Sequence, residues 1–253
     1  MQQDVRTETA GGVLSITLAR PDRRNAITVA MYSALAEAIE SAADDQSIRL
    51  IVIRGEGKDF TAGNDLHDFL QELPRQSDDI PVWRLLRALA RNPVPLLAAV
   101  QGNAVGIGTT LLLHCDLVVA EESARFSLPF VDLGLVPEAA SSLLLPRLAG
   151  RKRAARYLLL GEPFGAREAL DSGIVSHVVA DGELAAASGE IVANLLAKPP
   201  EALRLTQELL RHGTADELLD RMEIEGSHFT ERLQSEEVKN AIAAFFQRKA
   251  GGG

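Results

Sequence analysis

Glu138 is the only acidic side chain between Leu133 and Leu148, in a stretch otherwise rich in Leu, Val, Ala and Ser. A carboxylate in such surroundings is a candidate proton-transfer group. Apolar neighbours such as Phe130, Leu135, Val136 and Leu143 desolvate it, raise its pKa toward neutrality and make both abstraction and return of a proton feasible. Pro137-Glu138 followed by small residues also fits a plain helix start, where an acid is favoured in the first turn. Two further segments offer chemistry through their backbones. Asp59-Phe60-Thr61-Ala62-Gly63-Asn64-Asp65-Leu66 and Gly102-Asn103-Ala104-Val105-Gly106-Ile107-Gly108-Thr109-Thr110-Leu111 each place small residues after an expected strand, so the chain can turn tightly and free its N–H groups. The second also opens a helix, whose unsatisfied donors and dipole favour developing negative charge. A close strand–helix contact accounts for its glycines equally well. Together the two turns have the makings of an oxyanion hole.

Other catalytic patterns do not fit. The histidines at 67, 114, 177, 212 and 228 include no H-E-x-x-H and no metal spacing with the lone Cys115, so no metal site is expected. Leu111 stands where a dinucleotide fingerprint needs its third small residue, which argues against NAD. His114-Cys115-Asp116 has the composition of a triad, but neighbours on a helix do not face one another. Ser141 and Ser142 lack a G-x-S-x-G frame.

The elements that must position these groups follow an α/β rhythm. Gly12 to Leu18 alternates like a strand, and a turn around Pro21 leads into a helix from about Val29 to Ala43 with Tyr32, Leu35, Ala36 and Ile39 on one face. Leu50 to Ile53 reads as a buried strand. Gln71 to Pro81, with Pro74 and Asp78-Asp79, breaks the periodicity and reads as a mobile loop. Beyond it come a helix over Val82–Ala90, a strand over Leu96–Val100, a helix over Gly108–His114 and a strand over Leu117–Ala120. From Arg151 onward the pattern is almost entirely helical, interrupted at Gly161-Glu162-Pro163, at Val175–Val179 and at Pro199-Pro200.

With 46% apolar and 24% charged residues over 253 positions, the chain can bury a substantial core. Its apolar runs fall far short of the ~18–20 residues needed to span a bilayer. Met1 to Asp4 opens no basic-then-apolar leader, and one cysteine fits a reducing compartment, so a cytoplasmic location is expected. A net charge of -9 argues against nucleic-acid or anionic-membrane partners, although Arg20-Pro21-Asp22-Arg23-Arg24 is a local basic exception.

Taken in order and spacing, the three chemical segments and Arg23-Arg24-Asn25-Ala26 resemble the crotonase, or enoyl-CoA hydratase/isomerase, superfamily from about Val5 to Phe246. The resemblance implies a spiral of ββα units, with residues 1–195 forming the α/β core and 196–253 a helical region that trimerises, giving a homotrimer or dimer of trimers. It implies an acyl-CoA substrate and no separate cofactor, coenzyme A being part of the thioester. The backbone N–H groups of Asn64 and Ile107 carry over as the donors that polarise the thioester carbonyl. Hydratases of this family use two carboxylates, and the matching positions here hold Thr110 and Phe130, neither of which transfers a proton at neutral pH. The Δ3,Δ2-enoyl-CoA isomerases carry a single carboxylate in a segment like Pro137-Glu138-Ala139, and Gly63-Asn64-Asp65-Leu66 is similar to their first turn. The resemblance therefore implies a 3-enoyl-CoA isomerase with Glu138 as proton shuttle, serving fatty-acid β-oxidation; a hydratase or another crotonase-type enzyme is the alternative, and a non-catalytic RNA- or CoA-binding homologue a more distant one. Asp132, a second carboxylate close in sequence, is read as structural, with assistance to Glu138 the alternative, since some family members use alternative acids. For CoA, Arg23 or Arg24 would meet the phosphates, Ala26, Ala62, Asp65 and Leu66 would line the nucleotide side, and Lys249 would reach a neighbouring subunit's ligand. Trp83, Leu86, Leu89, Phe130 and Leu135 would shape the acyl pocket, with the loop Gln71 to Pro81, although ordinary helix packing explains Trp83, Leu86 and Leu89 equally well.

Overall fold

The computed structural model describes residues 4–68 and 80–251, except for the side chains of residues 245, 246 and 248–251. The expected loop from Gln71 to Pro81 lies, up to residue 79, outside the described residues. Among these residues the strands are β1 (Val5–Ala10), β2 (Val13–Leu18), β3 (Leu50–Gly55), β4 (Leu96–Val100), β5 (Asn103–Val105), β6 (Leu117–Glu121), β7 (Arg125–Ser127), β8 (Phe164–Gly165) and β9 (His177–Val179). The helices are α1 (Val29–Asp44), α2 (Pro81–Arg91), α3 (Ile107–Thr110), α4 (Ser141–Leu159), α5 (Ala166–Asp171), α6 (Leu184–Leu196), α7 (Pro200–Arg211), α8 (Thr214–Leu233) and α9 (Glu236–Gly251).

The larger sheet runs β1-β2-β3-β4-β6-β9, and every pairing after the β1–β2 hairpin is parallel. Burial on both faces explains why Leu50–Ile53 and Leu96–Val100 read as continuous apolar runs rather than alternating ones. Ile51, Ile53, Leu96, Ala98 and Val100 join the main core with α1 and α2, whereas Leu50, Val52, Leu97 and Ala99 pack against Leu184, Ile191, Val192 and Leu195 of α6. The opening strand is different. In β1 only Val5 is buried, because it is an edge strand held by a hairpin through Gly11 and Gly12, whose φ values of 57° and 83° suit a tight two-residue turn. Without an apolar alternation it carries no strand signal.

A smaller sheet, β5-β7-β8, is joined to the first chemical turn by a parallel bridge between Ala104 of β5 and Thr61. Strands of two or three residues are too short to show a period, and their stability comes from non-local pairing; hence β5, β7, β8 and β9 were not legible as strands. The helical C-terminal third is accordingly interrupted by real strands, with β9 occupying the break at Val175–Val179. The expected helix from Gly108 to His114 divides into α3 and a tighter 3₁₀ turn at Leu111–His114. Helix α4 starts ten residues before Arg151 and breaks at Gly150, whose φ of 75° leaves the helical region. No helix among the described residues is long and apolar enough to cross a membrane.

Gly102 turns the chain from β4 into β5 with φ 58°, and a Cβ there would come within 2.0 Å of the Lys58 carbonyl oxygen. Backbone cannot yield as a side-chain tip can. Gly102→Ala is expected to cost about 2–4 kcal/mol of unfolding free energy from overpacking and left-handed strain, measured by urea denaturation; a loss below about 0.5 kcal/mol would contradict the close packing.

Candidate active site

Glu138 sits between the 3₁₀ turn Val131–Leu133 and the first turn of α4, and it is 6% exposed. Its backbone carbonyl accepts bonds from the Ser141 N–H and hydroxyl at 2.9 and 2.6 Å, so the main chain, not the carboxylate, starts the helix. The carboxylate is left for other work: Oε1 is buried with no hydrogen-bond partner. Burial first, and the Glu225 charge second, push its pKa up to about 8, while Thr110 beside it works in the opposite direction. A group poised there is protonated and deprotonated with comparable ease near neutral pH, the property a proton shuttle needs.

The two chemical turns converge through backbone pairing. Ile27 donates to the Gly63 carbonyl at 2.8 Å and accepts from Asp65 N–H at 2.9 Å, a parallel bridge that turns the N–H of the intervening Asn64 toward the opposite edge. On that side lies Val105, so close to Gly63 that a Cβ on the glycine would be 2.7 Å from the Val105 oxygen. Thr61 pairs with Ala104 in the same way, bringing the first turn alongside the second. Ile107 is the first residue of α3, where N–H groups have no intrahelical acceptor, while Thr109 and Thr110 close onto the Gly106 carbonyl. The buried Tyr32 of α1 links these parts: its hydroxyl donates to Asn64 Oδ1. Burial, and then the nearby Glu138 charge, hold that phenol's pKa well above its ordinary value, so it remains a donor.

The residues expected around CoA cluster at one edge of this site. Arg23 is exposed and its guanidinium has no partner among the described residues. Arg24, in contrast, is engaged by Asp59 through bonds of 2.8 and 3.2 Å, which with Asn103 hold the Asp59 carboxyl down to about 2 despite some burial. Ala26 accepts from Arg20, and Ala62 donates to the Arg24 carbonyl, so both line the turn through their backbones. Asp65 is tied to Arg20 at 3.1 Å; burial is the largest influence and raises its pKa, but the Arg20 bond and charge together with the backbone N–H groups of Asp68 and His67 lower it overall, with Leu66 half-buried beside it. The Lys249 side chain lies outside the described residues. Among the acyl-pocket candidates, Phe130 and Leu135 close a turn through a 2.8 Å bond and lie in the core with Ala139, and Leu86 is fully buried there. Trp83 presses its ring onto Gly226 of α8, where a Cβ would be 1.9 Å away, so helix packing fixes its position. Asp132 is exposed and its carboxylate lies against Gly161.

Three contributors escaped the sequence reading of the site. Tyr32 counted only as part of an apolar helix face. His114 was set aside with Cys115 and Asp116; the structure separates them, His114 bonding to the Ala139 carbonyl at 2.8 Å and Asp116 to Leu96 N–H, Gln207 and Arg211. Burial lowers the His114 pKa to about 4, so its neutral ring donates Nε2–H, and burial pushes the Cys115 thiol up, leaving it unreactive. Glu225 had a visible signal: an acid on the buried stripe Leu218, Met222, Phe229 of α8. A groove of about 890 Å³ between β1 and α1, near Val5, Leu14 and Ala38, contains none of these site residues.

A parallel-sheet α/β core with a buried, partly unpartnered carboxylate and two donor-bearing turns defines a class, and the chain belongs to the enoyl-CoA hydratase/isomerase family, whose model matches residues 8–251. It is similar to rat (Rattus norvegicus) enoyl-CoA delta isomerase 2, at 35% identity over 94% of this chain and 62% of that longer protein. It is equally similar, at 35% over 94% of this chain and 93% of the other, to 2,3-dehydroadipyl-CoA hydratase of Escherichia coli. A crystal structure of an enoyl-CoA hydratase/isomerase from Pseudoalteromonas atlantica superposes with a TM-score of 0.91 and 40% identity, covering 97% of this chain and 98% of that one. Isomerase and hydratase relatives thus stand at the same distance.

The displaced pKa of Glu138 has a consequence for stability. Between its ordinary value of 4.5 and about 8 the folded protein binds more protons than the unfolded chain, so stability falls as pH rises through that window. Glu138→Gln removes this penalty. The melting temperature of the variant relative to the wild type is expected to climb from pH 5 to pH 8, by ~2–4 °C for each kcal/mol relieved; a pH-independent difference in calorimetry would show that Glu138 is not desolvated as described.

Proposed function

We propose that the protein is an acyl-CoA isomerase that moves the double bond of a 3-enoyl-CoA to the 2-trans position, in fatty-acid β-oxidation. The observation that carries this reading is the buried carboxylate of Glu138 with one oxygen unpartnered, next to a hydroxyl at Thr110 and a phenyl ring at Phe130 where a hydratase would hold its acids, while the neighbouring buried carboxylate of Glu225 is taken up by the backbone N–H groups of Ala140 and Ser142. One base of matched pKa is what migration of a double bond requires; activating and positioning a water asks for a second.

In the proposed reaction the ionised Glu138 removes the C2 proton. The C2–H electrons form a C1=C2 bond as the carbonyl π pair moves onto the thioester oxygen, giving a dienolate that keeps C3=C4. The N–H groups of Asn64 and Ile107 would receive that charge, a contribution of ~2.7–4 kcal/mol for one such donor. As the carbonyl reforms, the C1=C2 pair becomes C2=C3 and the C3=C4 pair takes the proton back from Glu138 at C4. Tyr32 supports the first donor by fixing the Asn64 side chain. Arg23, exposed and without a side-chain partner among the described residues, would meet a CoA phosphate, whereas Arg24 is engaged by Asp59. Exposed Leu205, Leu209, Leu210 and Ile224 on α7 and α8 support assembly as a homotrimer or dimer of trimers.

Supplying 3-enoyl-CoA and 2-enoyl-CoA separately distinguishes the two activities. Conjugation of the first, lost by about 10³-fold or more in Glu138→Gln with thioester affinity retained, is the expected result; exclusive hydration of the second would replace this reading with the hydratase one. Because the base must be ionised, kcat/KM for isomerisation is expected to rise with pH up to about 8. Arg23→Ala is expected to raise KM roughly 5-fold, the loss of one exposed charge-assisted contact, with kcat unchanged; steady-state kinetics decide.

A further inference from the structure

The turn that aims Glu138 is built against its own backbone preferences. Ala139 and Ala140 both occupy the left-handed region, at φ 57° and 56°, without being glycine. Each such residue costs of order 1 kcal/mol or more and persists only where its surroundings impose it. Three bonds impose it here. The Ala139 carbonyl accepts from His114 Nε2 at 2.8 Å, and the N–H groups of Ala140 and Ser142 donate to Glu225 Oε2 and Oε1 at 2.7 and 2.9 Å. Helix α4 has no side-chain cap of its own, so Glu225 supplies one from α8, more than eighty residues along the chain. It is 6% exposed, and a carboxylate there meets both orphan donors and the positive end of the helix.

We propose that Glu225 is the positioning residue of the catalytic carboxylate: it clamps the Ala139–Ala140 turn so that Glu138 Oε1 stays aimed, and it places a second negative charge behind the base. This rests on the reading of Glu138 as the base. The charged and titratable groups facing the pair are few. From α8 come Glu225 itself and Arg221, whose charge offsets that of Glu225 and whose guanidinium reaches toward the Ser142 hydroxyl at 3.5 Å. Tyr32 approaches from α1 and Thr110 from α3, both uncharged, and the neutral His114 is backed by Arg211 of α7. Of these, Glu225 is the group that raises the proton affinity of Glu138 through charge. The clamp therefore acts on both the direction and the basicity of Glu138.

The test is the pH dependence of isomerisation in Glu225→Gln, Glu225→Asp and, as a packing control on the same buried stripe, Leu218→Ala. In Glu225→Gln, which keeps the shape but loses the charge and one acceptor, kcat is expected to fall about 10–100-fold with KM changed by less than about 2-fold. Its acid limb in kcat/KM is expected to move to lower pH, since the repelling charge is gone. Glu225→Asp keeps the charge but not the reach; its limb stays at the wild-type position while kcat falls less far. Leu218→Ala keeps both kcat and the limb. Wild-type kcat and an unmoved limb in Glu225→Gln, or both changes reproduced by Leu218→Ala, would overturn the proposal. Should Glu225→Gln not fold, Glu225→Asp decides: a displaced limb or full wild-type kcat overturns it. Residual turnover in Glu138→Gln would remove the base itself, whereas an inactive Glu138→Gln beside an unaffected Glu225→Gln would remove only the clamp.

Discussion

Holding one carboxylate in a dry interior, with an oxygen left unpaired, is the constraint to which the neighbouring structure answers. A buried ionisable group of this kind costs several kcal/mol when charged, so the chain spends core packing to keep Glu138 where it is. It is buried in a chain segment whose Phe130, Leu135 and Ala139 belong to the apolar core, and Thr110 tempers the cost of its ionised form. Most buried polar groups in a folded protein find partners. Glu138 Oε1 does not, and its isolation is the strongest structural sign that a ligand atom belongs beside it.

The same constraint explains the backbone around it. Two alanines in left-handed conformation follow the glutamate, a strained arrangement stabilised by groups from distant parts of the chain, His114 before it and Glu225 well after it. Glu225 is itself buried, but its two N–H donors and nearby Arg221 make its burial tolerable. Catalytic segments commonly hold such strain where the surroundings over-determine it. The helical C-terminal region thus contributes to the site, since α8 both covers α2 through the Trp83–Gly226 contact and clamps the turn before α4.

Much of this was legible in the amino-acid sequence for a physical reason. Long apolar runs such as Leu96–Val100, and the helical face Tyr32-Leu35-Ala36-Ile39, are local patterns whose period reports their own burial. Glu138 stood out because an acid in an apolar stretch is itself an anomaly. Glycines at 63 and 106 pointed to turns that only positive φ permits, and both glycines adopt it. Strands β5, β7, β8 and β9 were silent, being two or three residues long and stabilised by partners far away.

By itself, then, the sequence determined the α/β class, the segments that bear the chemistry and the resemblance to a family of acyl-CoA enzymes, because each of these is written in local composition and order. Tertiary structure decided which groups meet. It engaged Arg24 with Asp59 and left Arg23 without a side-chain partner among the described residues, turned Asp132 toward Gly161, and dispersed the neighbours His114, Cys115 and Asp116 to separate tasks. It also brought Tyr32 to Asn64 and Glu225 to the turn behind Glu138. Such contacts join residues tens of positions apart, and no periodicity along the chain encodes the distance between two side chains that only folding brings together.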